Sequence, residues 1–119
     1  MKQQELGQFG EEQAARYLHR RFYTILERNY RCRLGEIDLI ARRGGVLAFV
    51  EVKLRRDDSH GQAREFVTAQ KQRRVIAAAQ HWLSQNDTGL QPRFDVIEVY
   101  APSGPDGPVT INHIEDAFM

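Results

Sequence analysis

The chain has 119 residues, of which 41% are hydrophobic and 28% are charged, and this balance is typical of one globular domain spanning residues 1–119. No apolar run approaches the roughly 20 residues that a membrane-spanning helix needs, and the first residues lack the apolar stretch of a signal peptide, so we expect a cytoplasmic protein. Cys32 is the single cysteine, which excludes an internal disulfide bond and a cysteine metal cluster.

The formal net charge of +1 conceals an uneven distribution along the chain. Residues 1–86 contain 16 Lys and Arg against 10 Asp and Glu, whereas residues 87–119 contain 1 against 6. A basic region of this kind predicts contact with the phosphates of a nucleic acid, and the alternative is that arginines keep the helices soluble. The candidate contact residues are Arg31, Arg33, Arg55, Arg56, Lys71 and Arg74.

The first half of the chain predicts a helix followed by strands. Apolar residues at spacings of three and four indicate a helix from about Gln4 to Arg21. Glu11 on this helix either lies on a solvated face or points at a functional pocket. Aromatic and β-branched residues predict a strand over residues 23–30, and a hairpin of two strands follows over residues 33–54.

The second half begins with a polar loop over residues 55–62. A helix is predicted over residues 68–85, with Thr68 as its N-cap and Lys71 near an N-terminus that could meet an anion. Strands are predicted over residues 93–100 and over residues 109–114. Asp95 is expected to face solvent, and the alternative is that it is a further acidic residue of the pocket. The predicted order is α-β-β-β-α-β-β, which indicates an α/β domain with a mixed sheet flanked by helices.

The hairpin is expected to turn at Gly44 and Gly45, because glycine pairs favour the turns of two-residue hairpin loops. That turn places Asp38 opposite Glu51 and Glu36 opposite Lys53, all on one face. The other face is then a core face, with the residues Ile37, Leu39, Ala41, Val46, Ala48, Val50 and Val52.

Two carboxylates placed opposite each other repel, and a divalent cation such as magnesium would relieve the repulsion. A metal ion can activate water and stabilise developing negative charge, and the ammonium group of Lys53 would steady the water or a phosphate. Asp38, Glu51 and Lys53 therefore predict hydrolysis of a phosphodiester. The alternative is an ordinary strand surface with salt bridges.

The spacing of Asp38 and Glu51-x-Lys53 resembles the PD-(D/E)xK nuclease signature, and the element order resembles the restriction-endonuclease-like fold. More closely, the chain resembles the YraN-like family of small bacterial proteins, which is similar in fold to archaeal Holliday-junction resolvases. The segments that carry this resemblance are Gly10-Glu11, Tyr17-Leu18, residues 25–31, Gly35-Glu36-Ile37-Asp38-Leu39-Ile40, Phe49-Val50-Glu51-Val52-Lys53, Lys71, Ala78-Ala79, Trp82-Leu83 and Arg93-Phe94-Asp95-Val96. One departure is Ile37, where many such nucleases have proline.

The resemblance implies a Mg²⁺- or Mn²⁺-dependent endonuclease. Asp38 and Glu51, with the backbone carbonyl of Val52, would bind the metal ion, Lys53 would orient the attacking water, and Glu11 would complete the site. The substrate would be DNA, including branched or structured DNA, and RNA is not excluded. Resolvase action would require a homodimer with two active sites. The alternative is a nucleic-acid-binding module of a repair or recombination complex that does not cleave.

Overall fold

The computed structural model describes residues 3–56 and 67–119, and within these ranges two helices pack on a sheet of five strands. The elements are α1 (Gln3–Arg20), β1 (Thr24–Cys32), β2 (Gly35–Arg43), β3 (Val46–Arg55), α2 (Ala69–Gln85), β4 (Gln91–Tyr100) and β5 (Thr110–Ile114). The predicted α/β class and order of elements are confirmed, with differences of up to two residues at the ends. Most of the predicted loop over residues 55–62 lies outside the described residues.

The strands follow the order β1-β2-β3-β4-β5 across the sheet. β3 and β4 are parallel, and the other neighbouring pairs are antiparallel. A parallel pair requires a long crossover connection, and α2 lies within that connection. The sheet is therefore mixed, as predicted. No helix within residues 3–56 and 67–119 is long and apolar enough to cross a membrane.

Both faces of the sheet are covered, because α1 packs on one face and α2 on the other. Leu39, Val50 and Ile97 pack against α1 at Leu18, whereas Phe49 and Val96 pack against α2. The prediction of one core face on the hairpin was therefore incomplete. Strands buried on both faces carry consecutive apolar residues, which period-two alternation does not describe.

The N-terminus of α2 is capped by Thr68, as predicted. The Thr68 hydroxyl accepts a hydrogen bond from the Lys71 backbone N–H at 3.1 Å. This cap satisfies a donor that the helix itself leaves unpaired, and it fixes the first turn of α2. Val75 and Trp82 are buried on the side of the helix that packs on the sheet.

Two glycines at the ends of β2 serve different purposes. Gly44 adopts φ +58°, which confirms the predicted tight turn between β2 and β3. Gly35 begins β2 against the backbone of α2, where a Cβ atom would lie 2.5 Å from the carbonyl oxygen of Arg74. A side chain at residue 35 would therefore separate the β1–β2 turn from α2.

Candidate active site

β2 and β3 stop pairing directly beside the predicted carboxylates. Their backbone register runs from Arg43 opposite Val46 to Leu39 opposite Val50, as the predicted turn requires. Beyond that pair, the carboxylate of Asp38 accepts a hydrogen bond from the Val52 backbone N–H at 2.8 Å. The predicted direct pairings of Asp38 with Glu51 and of Glu36 with Lys53 are therefore wrong, because the Asp38 side chain replaces the backbone ladder there.

The edge strand β1 is irregular at the same level of the sheet. Arg28 lies opposite Leu39 and Tyr30 lies opposite Ile37, so Asn29 stands beside Asp38 between these two pairs. Asn29 has φ +52°, a left-handed conformation that asparagine tolerates better than most residues. A related change occurs in β2, where Ile37 packs toward α2 with Ile40 instead of sharing the α1 face with Leu39. Irregularities of this kind re-aim side chains, and they are common beside active sites.

Glu51 lies on β3 with 5% of its surface exposed. Its Oε1 atom lies 3.9 Å from Nζ of Lys53 and 3.6 Å from Nζ of Lys71. Lys71 belongs to the first turn of α2, so the helix brings a second ammonium group to the carboxylate. Sequence reasoning placed Lys71 among the phosphate contacts and missed its contact with Glu51, which depends on how α2 packs on the sheet.

Burial and mutual repulsion disfavour the charged forms of Asp38 and Glu51. Burial raises the pKa of Glu51 to about 7, with a further contribution from Asp38, and Lys71 and Lys53 oppose the rise. Burial also raises the pKa of Asp38, although the Val52 N–H and the two lysines favour its charged form. A bound cation would favour ionisation of both carboxylates, so this pair has the electrostatic character of a cation site.

Glu11 faces the same site from α1. It lines a pocket of about 240 Å³ together with Asp38, Val52 and Asn29. The side-chain amide of Asn29, oriented to donate, reaches the Glu11 carboxylate. Burial raises the pKa of Glu11, and the charge of Asp38 raises it further. Of the two interpretations of Glu11 left open by the sequence, its position favours the one in which it points at a pocket.

The donor set fits a hard divalent cation that keeps part of its water shell. Within residues 3–56 and 67–119, no three His, Cys, Asp or Glu side chains converge closely enough to bind a metal ion by themselves. Asp38 and Glu51 supply carboxylate oxygens, and the Val52 carbonyl is a candidate third donor. Magnesium is often bound through one or two carboxylates, with water and substrate phosphate as the remaining ligands.

The predicted nucleic-acid contacts differ in how accessible they are. Arg33 is exposed in the turn between β1 and β2, Arg74 is exposed on α2, and Arg56 is exposed after β3. Arg31 is exposed and lies 3.3 Å from the Glu36 carboxylate. Arg55 is half-buried, with Nε and Nη2 shielded from solvent. Arg31, Arg33, Arg74 and Lys71 thus lie near the end of the sheet that carries Asp38.

Asp95 is buried, and the expectation that it faces solvent was wrong. Its carboxylate accepts two hydrogen bonds from Arg93, each of 2.8 Å, and lies 2.8 Å from Nε2 of His113. Arg93 also donates to the Tyr23 hydroxyl at 2.6 Å, and His113 contacts the Tyr17 hydroxyl at 3.1 Å. This network joins α1, β4 and β5, and sequence reasoning missed it because its members are far apart in the chain.

The raised pKa of Glu51 predicts a pH-dependent stability of the metal-free protein. The carboxyl has a pKa of about 7 in the folded protein, against 4.5 when unperturbed, so the folded protein retains a proton that the unfolded chain has released. This contribution to the free energy of unfolding therefore falls as the pH rises from about 4.5 to about 7. In chelator at pH 8, we expect Glu51→Gln to be more stable than the wild type, by an amount of the order of 3 kcal/mol.

Urea unfolding of both proteins between pH 4 and pH 8 measures this difference. The two stabilities should converge at pH 4, where the wild-type carboxyl is protonated. Glu36→Gln is the matched control, because the Glu36 side chain is 50% exposed and lies near the same Lys71. Parallel curves for the wild type and Glu51→Gln would contradict the raised pKa.

Comparison with known proteins gives the chain a family. The model of the family described as "Uncharacterised protein family UPF0102" matches residues 10–99. This chain belongs to the UPF0102 family. The matched range contains the candidate residues Glu11, Asp38, Glu51, Lys53 and Lys71.

Full-length relatives support the same assignment. A UPF0102 protein from Caldicellulosiruptor saccharolyticus is 42% identical over 119 residues, which cover 99% of this chain and 100% of the relative. A UPF0102 protein from Chlorobium chlorochromatii is 48% identical over 117 residues, covering 96% of this chain and 91% of the relative. A third, from Syntrophotalea carbinolica, is 52% identical over 95 residues, which cover 79% of this chain and 77% of the relative. The chain therefore corresponds to nearly the whole of the first two relatives.

Proposed function

We propose that this UPF0102 protein is a metal-dependent endonuclease with a restriction-endonuclease-like fold, and that it hydrolyses phosphodiester bonds in DNA. The observation that carries the proposal is the buried carboxylate of Glu51 close to the half-buried carboxylate of Asp38, beside two lysines. Burial disfavours the charged forms of both carboxylates in the metal-free protein, although Asp38 also accepts a hydrogen bond from the Val52 N–H. Retention of such a pair is typical of a functional site.

Asp38 and Glu51, with the Val52 carbonyl, would hold Mg²⁺ or Mn²⁺. The metal ion, when bound, supplies Lewis-acid activation of water and stabilisation of negative charge. Lys53 lies beside Glu51, where its ammonium group can orient the attacking water or contact a phosphate oxygen. Lys71 adds positive charge from the α2 side, and Glu11 faces Asp38 from the α1 side and can accept a proton.

The exposed arginines near this end of the sheet support a nucleic acid as the substrate. Arg31, Arg33 and Arg74 would contact phosphates on either side of the bond that is cut. Phosphate contacts position a backbone without reading its sequence, which suits an enzyme that recognises DNA shape. If the substrate is a four-way junction, cleavage of two strands requires two sites, and we propose a homodimer for that case.

Cleavage of a labelled substrate panel tests the proposal. Linear duplex, single strand, flap and four-way junction are incubated with magnesium, with manganese or with chelator. We expect cutting only when a metal ion is present, and no cutting by Glu51→Ala. A wild-type protein that binds these substrates in chelator but cuts none of them would overturn the proposal and favour a non-cleaving nucleic-acid-binding module.

A further inference from the structure

Phe22 is an exposed aromatic residue in a strained conformation. It follows the last turn of α1, and 87% of its surface is exposed. Its φ is +71°, which is the left-handed region that glycine usually occupies after a helix. Hydrogen bonds hold it there, because the Phe22 N–H donates to the His19 carbonyl at 3.0 Å and the Tyr23 N–H donates to the Leu18 carbonyl at 2.9 Å.

The left-handed conformation of Phe22 closes the C-terminal cap of α1, but the exposure of its ring contributes nothing to stability. A non-glycine residue in the left-handed region carries strain, and an exposed ring obtains little compensation from packing. Strained residues of this kind cluster at binding and active sites. The position of Phe22 therefore indicates that its ring meets a ligand.

Phe22 borders an open groove of about 880 Å³ between the C-terminal half of α1 and the edge strand β1. Ala15 and Ile25 contribute apolar surface to it. Apart from the buried Tyr23, the ionisable residues that line the groove are all basic: Arg16, His19, Arg20 and Arg28. The groove thus combines an aromatic ring with positive charge.

These basic side chains differ in whether they are already paired. Arg16 and Arg28 both contact the Glu12 carboxylate, at 3.2 Å and 2.8 Å. The side chains of His19 and Arg20 make no hydrogen bond or ion pair with another residue of the described ranges 3–56 and 67–119. Arg20 therefore presents an unneutralised charge beside the Phe22 ring.

The groove leads to the candidate active site. Arg28 lines the groove and also a cavity of about 190 Å³ that contacts Glu11 and Asn29. Glu11 and Asn29 in turn line the pocket that contains Asp38. A strand rises about 3.3 Å per residue, so the path along β1 from Asn29 to Thr24 is about 17 Å long, and Phe22 lies two residues before Thr24.

We propose that this groove binds an unpaired strand of the nucleic acid substrate, with one base stacked on Phe22 and a phosphate at Arg20. Aromatic rings stack on any base, and basic side chains follow the backbone of a single strand. The bases inside a duplex are already stacked on each other and offer Phe22 no free face, so only the terminal base pairs could stack on it. The inference rests on the proposed nuclease function, and it names the substrate as DNA with a single-stranded segment beside the bond that is cut.

Binding measured in chelator tests the stacking contact without any cleavage. A fluorescent single strand of about 12 nucleotides and a blunt duplex of the same length are titrated against the wild type, Phe22→Ala and Phe22→Trp. We expect Phe22→Ala to weaken single-strand binding about 5- to 150-fold, and to leave duplex binding unchanged. Phe22→Trp should bind the single strand as well as the wild type does.

Met119→Ala is the matched control, because Met119 is also an apolar residue with 81% exposure but does not line the groove. Its single-strand affinity should equal that of the wild type. Equal losses by Phe22→Ala on single strand and duplex would overturn the proposal, since that result reports a general change in the protein. Unchanged single-strand affinity in Phe22→Ala would also overturn it, since the Phe22 ring would then contribute nothing to binding of the strand.

Salt dependence tests the phosphate contact. Arg20→Gln should reduce the slope of log affinity against log salt by about 0.7 for the single strand. Arg73→Gln is the matched control, because Arg73 is exposed on α2 across the sheet and should leave the slope unchanged. Equal slopes for the wild type and Arg20→Gln would exclude a phosphate contact at Arg20 and overturn this part of the proposal.

The binding and cleavage results separate the two proposals. Loss of single-strand affinity in Phe22→Ala, with no cutting by the wild type, would support strand binding in the groove and contradict the proposed nuclease activity. In the opposite case, the wild type cuts a flap in the presence of a metal ion, and Phe22→Ala cuts it and binds the single strand as well as the wild type does. This result would support the nuclease activity and contradict strand binding in the groove.

Discussion

Replacing Asp38 with Asn is expected to slow metal-dependent cleavage by about 100- to 1000-fold while the fold remains intact. The variant loses a half-buried carboxylate but retains an oxygen that can accept the 2.8 Å hydrogen bond from the Val52 N–H. The connection between β2 and β3 therefore survives, and only the charge changes. Single-turnover cleavage in manganese, together with circular dichroism of both proteins, measures the two effects separately.

Glu36→Gln is the control for Asp38→Asn. It removes the same charge from the same strand, but the Glu36 side chain is half-exposed and lies near Arg31 and Lys71. We expect cleavage by this variant to stay close to the wild-type rate. Equal losses in the two variants would show that net charge, and not a specific carboxylate, controls the reaction, and would contradict the role given to Asp38.

Replacing Asp95 with Ala is expected to destabilise the protein by about 3–5 kcal/mol, the usual effect of breaking a buried ion pair by removing one partner. The Asp95 side chain is fully buried, and its loss leaves the largely buried guanidinium group of Arg93 with the exposed Glu115 carboxylate, 3.7 Å away, in place of its buried partner. The backbone N–H of Asp116, which donates to Asp95 at 3.1 Å, also loses its acceptor. Urea unfolding at pH 7 measures the change in the free energy of unfolding.

Acid should reproduce part of this effect in the wild type. Burial opposes ionisation of Asp95, but hydrogen bonds from His113, Arg93 and the Asp116 N–H outweigh it and hold the pKa below its usual value. A lowered carboxyl pKa contributes stability at neutral pH, and that stability is lost as the pH falls through the folded-state pKa.

Asp106→Ala is the control for Asp95→Ala, because Asp106 is an exposed carboxylate in the loop before β5. Its substitution should change the free energy of unfolding by no more than about 0.5 kcal/mol. A change of similar size in Asp95→Ala would show that the network around Asp95 contributes little to stability.

The hairpin shows how far local sequence information reaches. Two adjacent glycines specify a tight turn, and the turn sets the register from Arg43 to Leu39, so this part of the pairing was predictable. The predicted pairing of Asp38 with Glu51 does not form, because the Asp38 side chain competes with the backbone for the Val52 N–H. A side chain that replaces a ladder hydrogen bond leaves no periodic signal in the sequence.

The sequence by itself determined the order of elements, the cap at Thr68 and the proximity of Asp38, Glu51 and Lys53. These features depend on residues near each other in the chain or joined by one tight turn. The tertiary structure decided which distant groups meet them. Lys71 reaches Glu51 because α2 packs across the end of the hairpin, and Tyr17 reaches His113 across 96 residues of sequence. Such contacts depend on packing between separate elements, which residue patterns along the chain do not encode locally.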